Sequence, residues 1–380
     1  MPVFFLYFMQ NLTLPQVLRL ESIYYLAVVA LEVPSGYMSD RFGRKPTMLM
    51  ACGSLLTAYA LFYLGSDFIM LALAQVGLAM GVAFNSGTDT SFHYDALVSV
   101  GREDTFGDRE ASIVQKSILA SGVAALTGGL VGLIELRYAY ALSGGMALVA
   151  FLLVCRMTEP RVHNQAILSG TPVKQLRTCV HFVRHPLLMW LFVFYVLMTV
   201  LNHIPYEFYQ PYLSLLQGEK NVMTTGTSLT TGIHTGLAML LAASFAGYSN
   251  RLSQRIGLTK FLLGVCALQT LLIMLMGLHL HYLIAGLMLF RSVPRAFMTA
   301  PMNAAIAPLV PATHRATFLS MQSLAGRLAF SGVLFGLSLM GTTTETHGWT
   351  SLSIRLMTAA GIGITGLLIL AGWSRKRPLK

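Results

Sequence analysis

Ionisable side chains are scarce in this sequence, so each one that interrupts an apolar run needs a chemical reason. Asp, Glu, Lys and Arg make up 11% of the chain, against 55% hydrophobic residues. Glu32 nevertheless stands in LAVVALEVPSGYM, Arg291 and Arg295 in LFRSVPRAFM, and Arg327 in SLAGRLAF. A burst of charge, DRFGRK, occupies Asp40–Lys45. A charge inside an apolar span is costly and marks an ion, proton or substrate path unless it is paired. Glu32 is therefore a candidate proton carrier, and pairing with the nearby arginines is its other reading. Glu32, Gly36 and Asp40 recur every fourth residue and share a helix face. Arg291 and Arg295 are also four apart, which puts them on one face, where they could grip an anion bidentately. Structural pairing with carboxylates or carbonyls is the alternative. Pro294 between them should bend the helix.

Further candidates are more dispersed. Arg327 sits mid-span, either as a third cation favouring a solute with a negative group or as a packed partner of Glu32 or Asp89. Glu207, in NHIPYEFYQPY beside Asn202 and His203, suggests an outer vestibule and a second proton site. The tyrosines around it read equally well as an interfacial aromatic belt. His234 could titrate near neutrality or simply pack. Asp89, His93 and Asp95 could form a relay, with Asp89 a third proton candidate; a solvated helix end with salt bridges is the preferred reading. No metal site or cofactor is expected. The chain has no GxxxxGK[ST], GxSxG or HExxH, so neither nucleotide hydrolysis nor a familiar hydrolase site is indicated.

The elements that must position these residues are membrane helices. A chain so poor in charge cannot cover a water-facing surface, and its apolar runs of about 20 residues match the roughly 30 Å hydrocarbon core. The alternating segments of a β-barrel are missing. The fold class is thus all-α and polytopic, with spans near 1–10, 18–38, 46–65, 68–90, 112–134, 137–155, 186–206, 227–248, 259–278, 281–303, 317–340 and 352–373. The polar stretch 156–185 parts them into six and six. The expected division is an N-terminal bundle 1–155, a linker 156–185 and a C-terminal bundle 186–380. The first span holds only about ten apolar residues, roughly 15 Å of helix; it reads as truncated, with a start expected upstream.

The net charge of +11 does not imply nucleic acid, because its positives fall in alternate short loops. Arg41, Arg44, Lys45, Arg177, Arg251, Arg255 and Arg375 are among those on one side. The positive-inside rule makes that side cytoplasmic and puts both termini there. Cys52, Cys155, Cys179 and Cys266 lie in or beside apolar runs and read as reduced, packed thiols.

DRFGRK then becomes a cytoplasmic turn between two spans, with Asp40, Arg41, Arg44 and Lys45 expected in interfacial water and Gly43 giving the reversal. GYMSDRFGRK resembles the loop signature of the major facilitator superfamily through Gly36, Asp40, Arg41, Gly43, Arg44 and Lys45. The resemblance extends over the whole chain through its six-plus-six pattern. It implies two bundles rocking about a central cavity, with the aspartate and the basic residues latching the cytoplasmic side. The run GYSNRLSQRIGLTK, beginning at Gly247, is a weak echo of the motif. SGTDTSFHYDAL and IPYEFYQPYL resemble a bacterial branch of the family. Two family features of drug–proton antiporters are missing: an arginine in LALAQVGLAMGVAFNSG, and a Gly-Pro pair before Gly128 and Gly129.

The expectation is a monomeric carrier in a bacterial cytoplasmic membrane that moves a small organic solute by alternating access. It would be coupled to protons and act as an exporter. Uptake by the same fold, or a receptor without transport, is the alternative.

Overall fold

A computed structural model describes residues 7, 8, 10, 12, 14–160, 172–217, 227–338, 340 and 348–376. Residues 1–6, in the first expected span, lie outside the described residues, as do 161–171 of the linker. The described residues are helical with connecting turns, as lipid requires: only an element that satisfies its own backbone can cross hydrocarbon. Among them, nine helices are long and apolar enough to span a membrane.

The order is α1 (Leu14–Phe42), α2 (Arg44–Leu64), α3 (Phe68–Asn85), α4 (Thr88–Val98), α5 (Phe106–Val131) and α6 (Leu136–Arg156). Then come α7 (Pro172–Phe182), α8 (Pro186–Gln217), α9 (Thr227–Ala246), α10 (Ser249–Ile256) and α11 (Leu258–Leu278). The last are α12 (Tyr282–Leu287), a 3-10 turn (Met288–Ser292), α13 (Val293–Ile306), α14 (Ala312–Ser338) and α15 (Trp349–Lys376).

Local chemistry explains the breaks. Gly43 separates α1 from α2 with φ 112, a value that side chains strain to adopt. Asp67 caps α3, its Oδ1 accepting from the amides of Ile69 and Met70 at 2.9 and 3.1 Å. Gly87, at φ 70, splits the expected span 68–90 into α3 and α4. The expected span 281–303 is likewise broken, by the 3-10 turn ahead of Pro294. The 156–185 stretch also carries a helix, α7, that its polar composition had hidden.

Two large apolar clusters hold the helices. One draws on residues from Cys179 to Leu370, including Trp190 and Phe194 stacked at 5.4 Å. The other draws on residues from Tyr7 to Tyr140. Large side chains such as Leu26, Ile69 and Leu368 point outward with about two-thirds of their surface free, as a lipid-facing shell would.

Two seams join the earlier helices to the later ones: α1 against α14, and α5 against α9. Glycines permit the close approach. A Cβ on Gly36 would fall 2.9 Å from the Ala316 carbonyl oxygen, and one on Gly232 3.0 Å from that of Ala125.

Candidate functional site

Asp40 ends the buried face of α1, and its carboxylate crosses the first seam. Oδ2 accepts from the Thr317 amide at 2.8 Å, the Thr317 hydroxyl at 2.6 Å and Gln175 Nε2 at 3.0 Å. Oδ1 accepts from the Ala316 amide at 3.1 Å and from Arg44 Nη1 at 2.5 Å. The opening turns of α14 thus present their N–H groups and their positive dipole end to a carboxylate.

Arg44 answers from the first turn of α2. Its Nη2 donates to the Ala312 carbonyl, Nη1 also reaches Ser39 Oγ at 3.1 Å, and Nε donates to Asp95 Oδ2 at 3.2 Å. Asp95, on α4, accepts on its other oxygen from Arg315 Nη1. Arg315 donates to the carbonyls of Ala307 and Val310, both at 3.0 Å, and lies over the Tyr94 ring at 4.3 Å. The result is an alternating chain, Asp40–Arg44–Asp95–Arg315, with no side chain more than 6% exposed. Each charge has an opposite neighbour, as burial demands.

The motif therefore divides. Asp40 and Arg44 are buried, not in interfacial water as expected, because α14 and α4 close over them and supply partners. Arg41 is exposed and pairs with the Tyr37 hydroxyl. Lys45 Nζ donates to the Cys155 carbonyl at 2.9 Å. Gly43 makes the reversal and Gly36 the close packing. Glu159 accepts from the amides of Arg44 and Lys45, both at 2.7 Å, so it neutralises the start of α2.

The second seam has a matching contact. Asn250 Nδ2 donates to Asp108 Oδ1 at 2.9 Å in the first turn of α5. A Cβ on Gly107 would lie 2.6 Å from that amide. Asn250 belongs to the echo GYSNR, where it precedes Arg251 as Asp40 precedes Arg41, though one residue nearer its glycine; each side chain reaches across a seam. Nearby, Glu110 accepts from Asn303 Nδ2 and meets His93 Nδ1, each at 2.8 Å. Asp95 and His93 are thus engaged in the seams and are not a solvated cluster. Asp89 alone is exposed, accepting from the Thr90 amide at 2.7 Å and Asn85 Nδ2 at 3.3 Å. Among the described residues no group of His, Cys, Asp and Glu is arranged to hold a metal.

Glu32 is fully buried two turns above Asp40. Oε1 accepts from the Ser86 hydroxyl, whereas Oε2 has no hydrogen-bond partner among the described residues. Arg327 Nε stands 3.7 Å away, an ion pair too long for a hydrogen bond. That places Arg327 beside Glu32 rather than with the other arginines.

Arg291 and Arg295 do not share a face. Arg291 is 4% exposed, while Arg295 is exposed. Arg291 lies in the 3-10 turn Met288–Ser292, and Arg295 lies in the first turn of α13. Arg291 Nη1 meets His234 Nδ1 at 3.1 Å. Asn202 Nδ2 reaches Met298 Sδ at 3.6 Å, and His203 Nδ1 meets the Thr199 carbonyl at 2.7 Å. Glu207 is exposed on α8.

Sequence reading missed Gln175, Glu159 and the pairing of Asp95 with Arg315. Gln175 and Glu159 come from the polar 156–185 stretch, where nothing distinguishes a buried amide from a solvated one.

The family model for the Major Facilitator Superfamily matches residues 117–331, more than half of the 380 residues. Three crystal structures show the same fold. One is the human organic anion transporter MFSD10 (TETRAN): TM-score 0.71 and 18% identity over 92% of this chain and 82% of that one. A bacterial homologue of the iron transporter ferroportin, in an outward-facing state, gives 0.69 and 16% over 96% and 91%. The Escherichia coli fucose:proton symporter FucP gives 0.63 and 13% over 96% and 92%. None of the curated proteins matches the chain in sequence.

Proposed function

Since the chain belongs to the major facilitator superfamily, we propose that it is a proton-coupled secondary transporter exporting a small organic solute by alternating access. Membership of that family makes it a membrane transporter rather than an enzyme. In this reading twelve spans form two six-helix bundles, 1–155 and 186–380, joined by the linker 156–185. Both termini lie on the cytoplasmic side of a bacterial inner membrane, and the carrier works as a monomer. Gly36, Asp40, Gly43, Arg44 and Lys45 build the inner latch, with Arg41 at its rim. Glu32 is the first candidate for the proton, ahead of Glu207 and Asp89. Arg291, Arg295, Arg327, Asn202, His203 and His234 are the candidates for the solute's path.

The observation that carries this reading is the hydrogen-bond set of Asp40. A carboxylate from α1 that takes two amides, a hydroxyl and a carboxamide from α7 and α14 is a pin between bundles, and a pin must release if the bundles rock. Uptake on the same fold is the second reading; the similarity to a fucose:proton symporter favours it.

Thiol labelling tests the pin without knowledge of the solute. Ser320 is fully buried in the seam. In a background lacking Cys52 and Cys155, the only native thiols that are not buried, Ser320→Cys should react slowly with maleimide. Cys179 stays silent, since burial pushes its thiol well above the ordinary range. Adding Asp40→Asn should raise the Ser320→Cys rate at least several-fold. An unchanged rate removes the latch.

A further inference from the structure

Arg44, Arg291 and Arg315 are buried, and they are not treated alike. Arg44 and Arg315 each have a carboxylate and at least one backbone carbonyl. Arg291 has no carboxylate in ion-pair range among the described residues, and its Nη2 has no hydrogen-bond partner there. Its Nη1 is shared between His234 Nδ1 at 3.1 Å and the Met288 carbonyl at 3.3 Å. Its flat face lies 4.6 Å from the centre of the Tyr209 ring. A desolvated guanidinium held only by neutral groups and a ring is costly until an anion arrives.

His234 completes the pattern. A guanidinium can only donate, so His234 Nδ1 must accept, and the proton of the neutral ring is on Nε2. Nε2 is buried and also without a partner among the described residues. The ring is fixed by stacking on Tyr209, 5.5 Å between centres and 4° from parallel. Two adjoining side chains therefore offer unused donors, and neither offers an acceptor. That chemistry rejects a cation and fits negative oxygen. Tyr209 has Tyr206 at 6.3 Å, an aromatic surround suited to an apolar body behind the charged end.

We infer that Arg291 and His234 form the seat for the anionic end, a carboxylate or sulfonate, of an organic solute. This deepens the carrier reading and rests on it only for the word solute; the seat itself follows from the two unpaired donors. Arg291 anchors, His234 orients through Nε2–H, and Tyr209 backs both the guanidinium and the imidazole. Arg295 and Arg327 are outside the seat.

The test uses the full-length protein in nonionic detergent and low-anion buffer, with benzoate, benzenesulfonate and neutral benzamide as probes and the melting temperature as readout. Both anions should raise the wild-type value, and benzamide should not. Arg291→Met should melt higher than wild type without ligand, because it removes an uncompensated charge, and it should lose the anion response. His234→Phe should keep the fold and weaken benzoate about tenfold, the cost of one charge-assisted hydrogen bond. The seat is overturned if neither anion stabilises the wild type, if Arg291→Met still responds, or if Arg291→Met melts lower without ligand. Benzoate that binds but never exchanges across proteoliposomes would sink the carrier and leave the seat. A latch that responds to Asp40→Asn in a protein blind to both anions would do the reverse.

Discussion

Asp40 and Glu32 lie two turns apart on one face of α1, and their surroundings differ in kind. Asp40 is saturated: five donors converge on it. Glu32 holds one hydroxyl and a distant guanidinium, and one of its oxygens has no hydrogen-bond partner among the described residues. A saturated carboxylate is a structural pin. In the proposed cycle an under-satisfied one, with its guanidinium 3.7 Å away, would exchange a proton for that cation as the seam opens. Glu32→Gln keeps the shape and removes the charge. It should abolish solute accumulation driven by a pH gradient in proteoliposomes while sparing solute-for-solute exchange. Wild-type pH dependence in the mutant would exclude Glu32 from coupling. Spacing revealed that these two share a face; it could not reveal their difference, which depends on what α14 and α4 bring to each.

At the scale of elements, α7 shows where sequence legibility ends. The long spans announce themselves by composition, since lipid demands it. A short polar helix carries no such signal, and PVKQLRTCVHF reads as linker. Only its buried side, Gln175 and Cys179, reveals its placement. Gln175 Nε2 faces three acceptors: Asp40 Oδ2, the Thr313 carbonyl at 3.1 Å and Thr317 Oγ1 at 2.8 Å. The helix thus adds a third wall around Asp40, and so to the proposed latch. The pairing of Asp95 with Arg315 is equally illegible: Asp95 reads as a helix-end charge with salt bridges, but 220 residues separate the two and nothing in the sequence names Arg315 as the partner. Gln175→Leu should leave buried acceptors short of a donor, a cost of about 1–3 kcal/mol. Since only the closed latch bears that cost, Ser320→Cys should label faster, though less so than with Asp40→Asn. Equal labelling in Gln175→Leu and wild type would make α7 a passive strap.

For the whole molecule, the proposed rocking raises the question of how two tightly packed halves could part at all. Oily interdigitation across the seams would have to be torn open at each cycle. The seams combine close-packed small residues and polar pins with two small apolar clusters, one joining Val114 and Ile118 to Ala242 and Val293, the other joining Tyr94 and Phe106 to Ala307. Gly36 lies against Ala316, Thr317 and Ser320, and Gly232 and Gly236 lie against Ala125, Gly122 and Leu126. Where backbone meets backbone, as Gly36 meets Ala316 and Gly232 meets Ala125, little side-chain area is shared and little apolar surface would be lost on separation; Gly236 instead takes the Leu126 side chain. The two large apolar clusters lie within the earlier and later helices rather than across the seams. In the proposed cycle the closed state is then set by fit, and one methyl group should spoil it. A Cβ at Gly36 would sit 2.8–2.9 Å from Ser320 Oγ, the Ala316 carbonyl oxygen and Thr317 Cα. At Gly128, in α5, a Cβ meets nothing within 4 Å. Gly36→Ala should therefore force α1 from α14 at a cost of about 1–3 kcal/mol to the closed state. It should label Ser320→Cys rapidly and slow transport, with each half still folded. Gly128→Ala should change neither rate. If the two variants behave alike, the halves are not held by close fit along α1 and α14, and the saturated chain from Asp40 to Arg315 must bear the closure by itself.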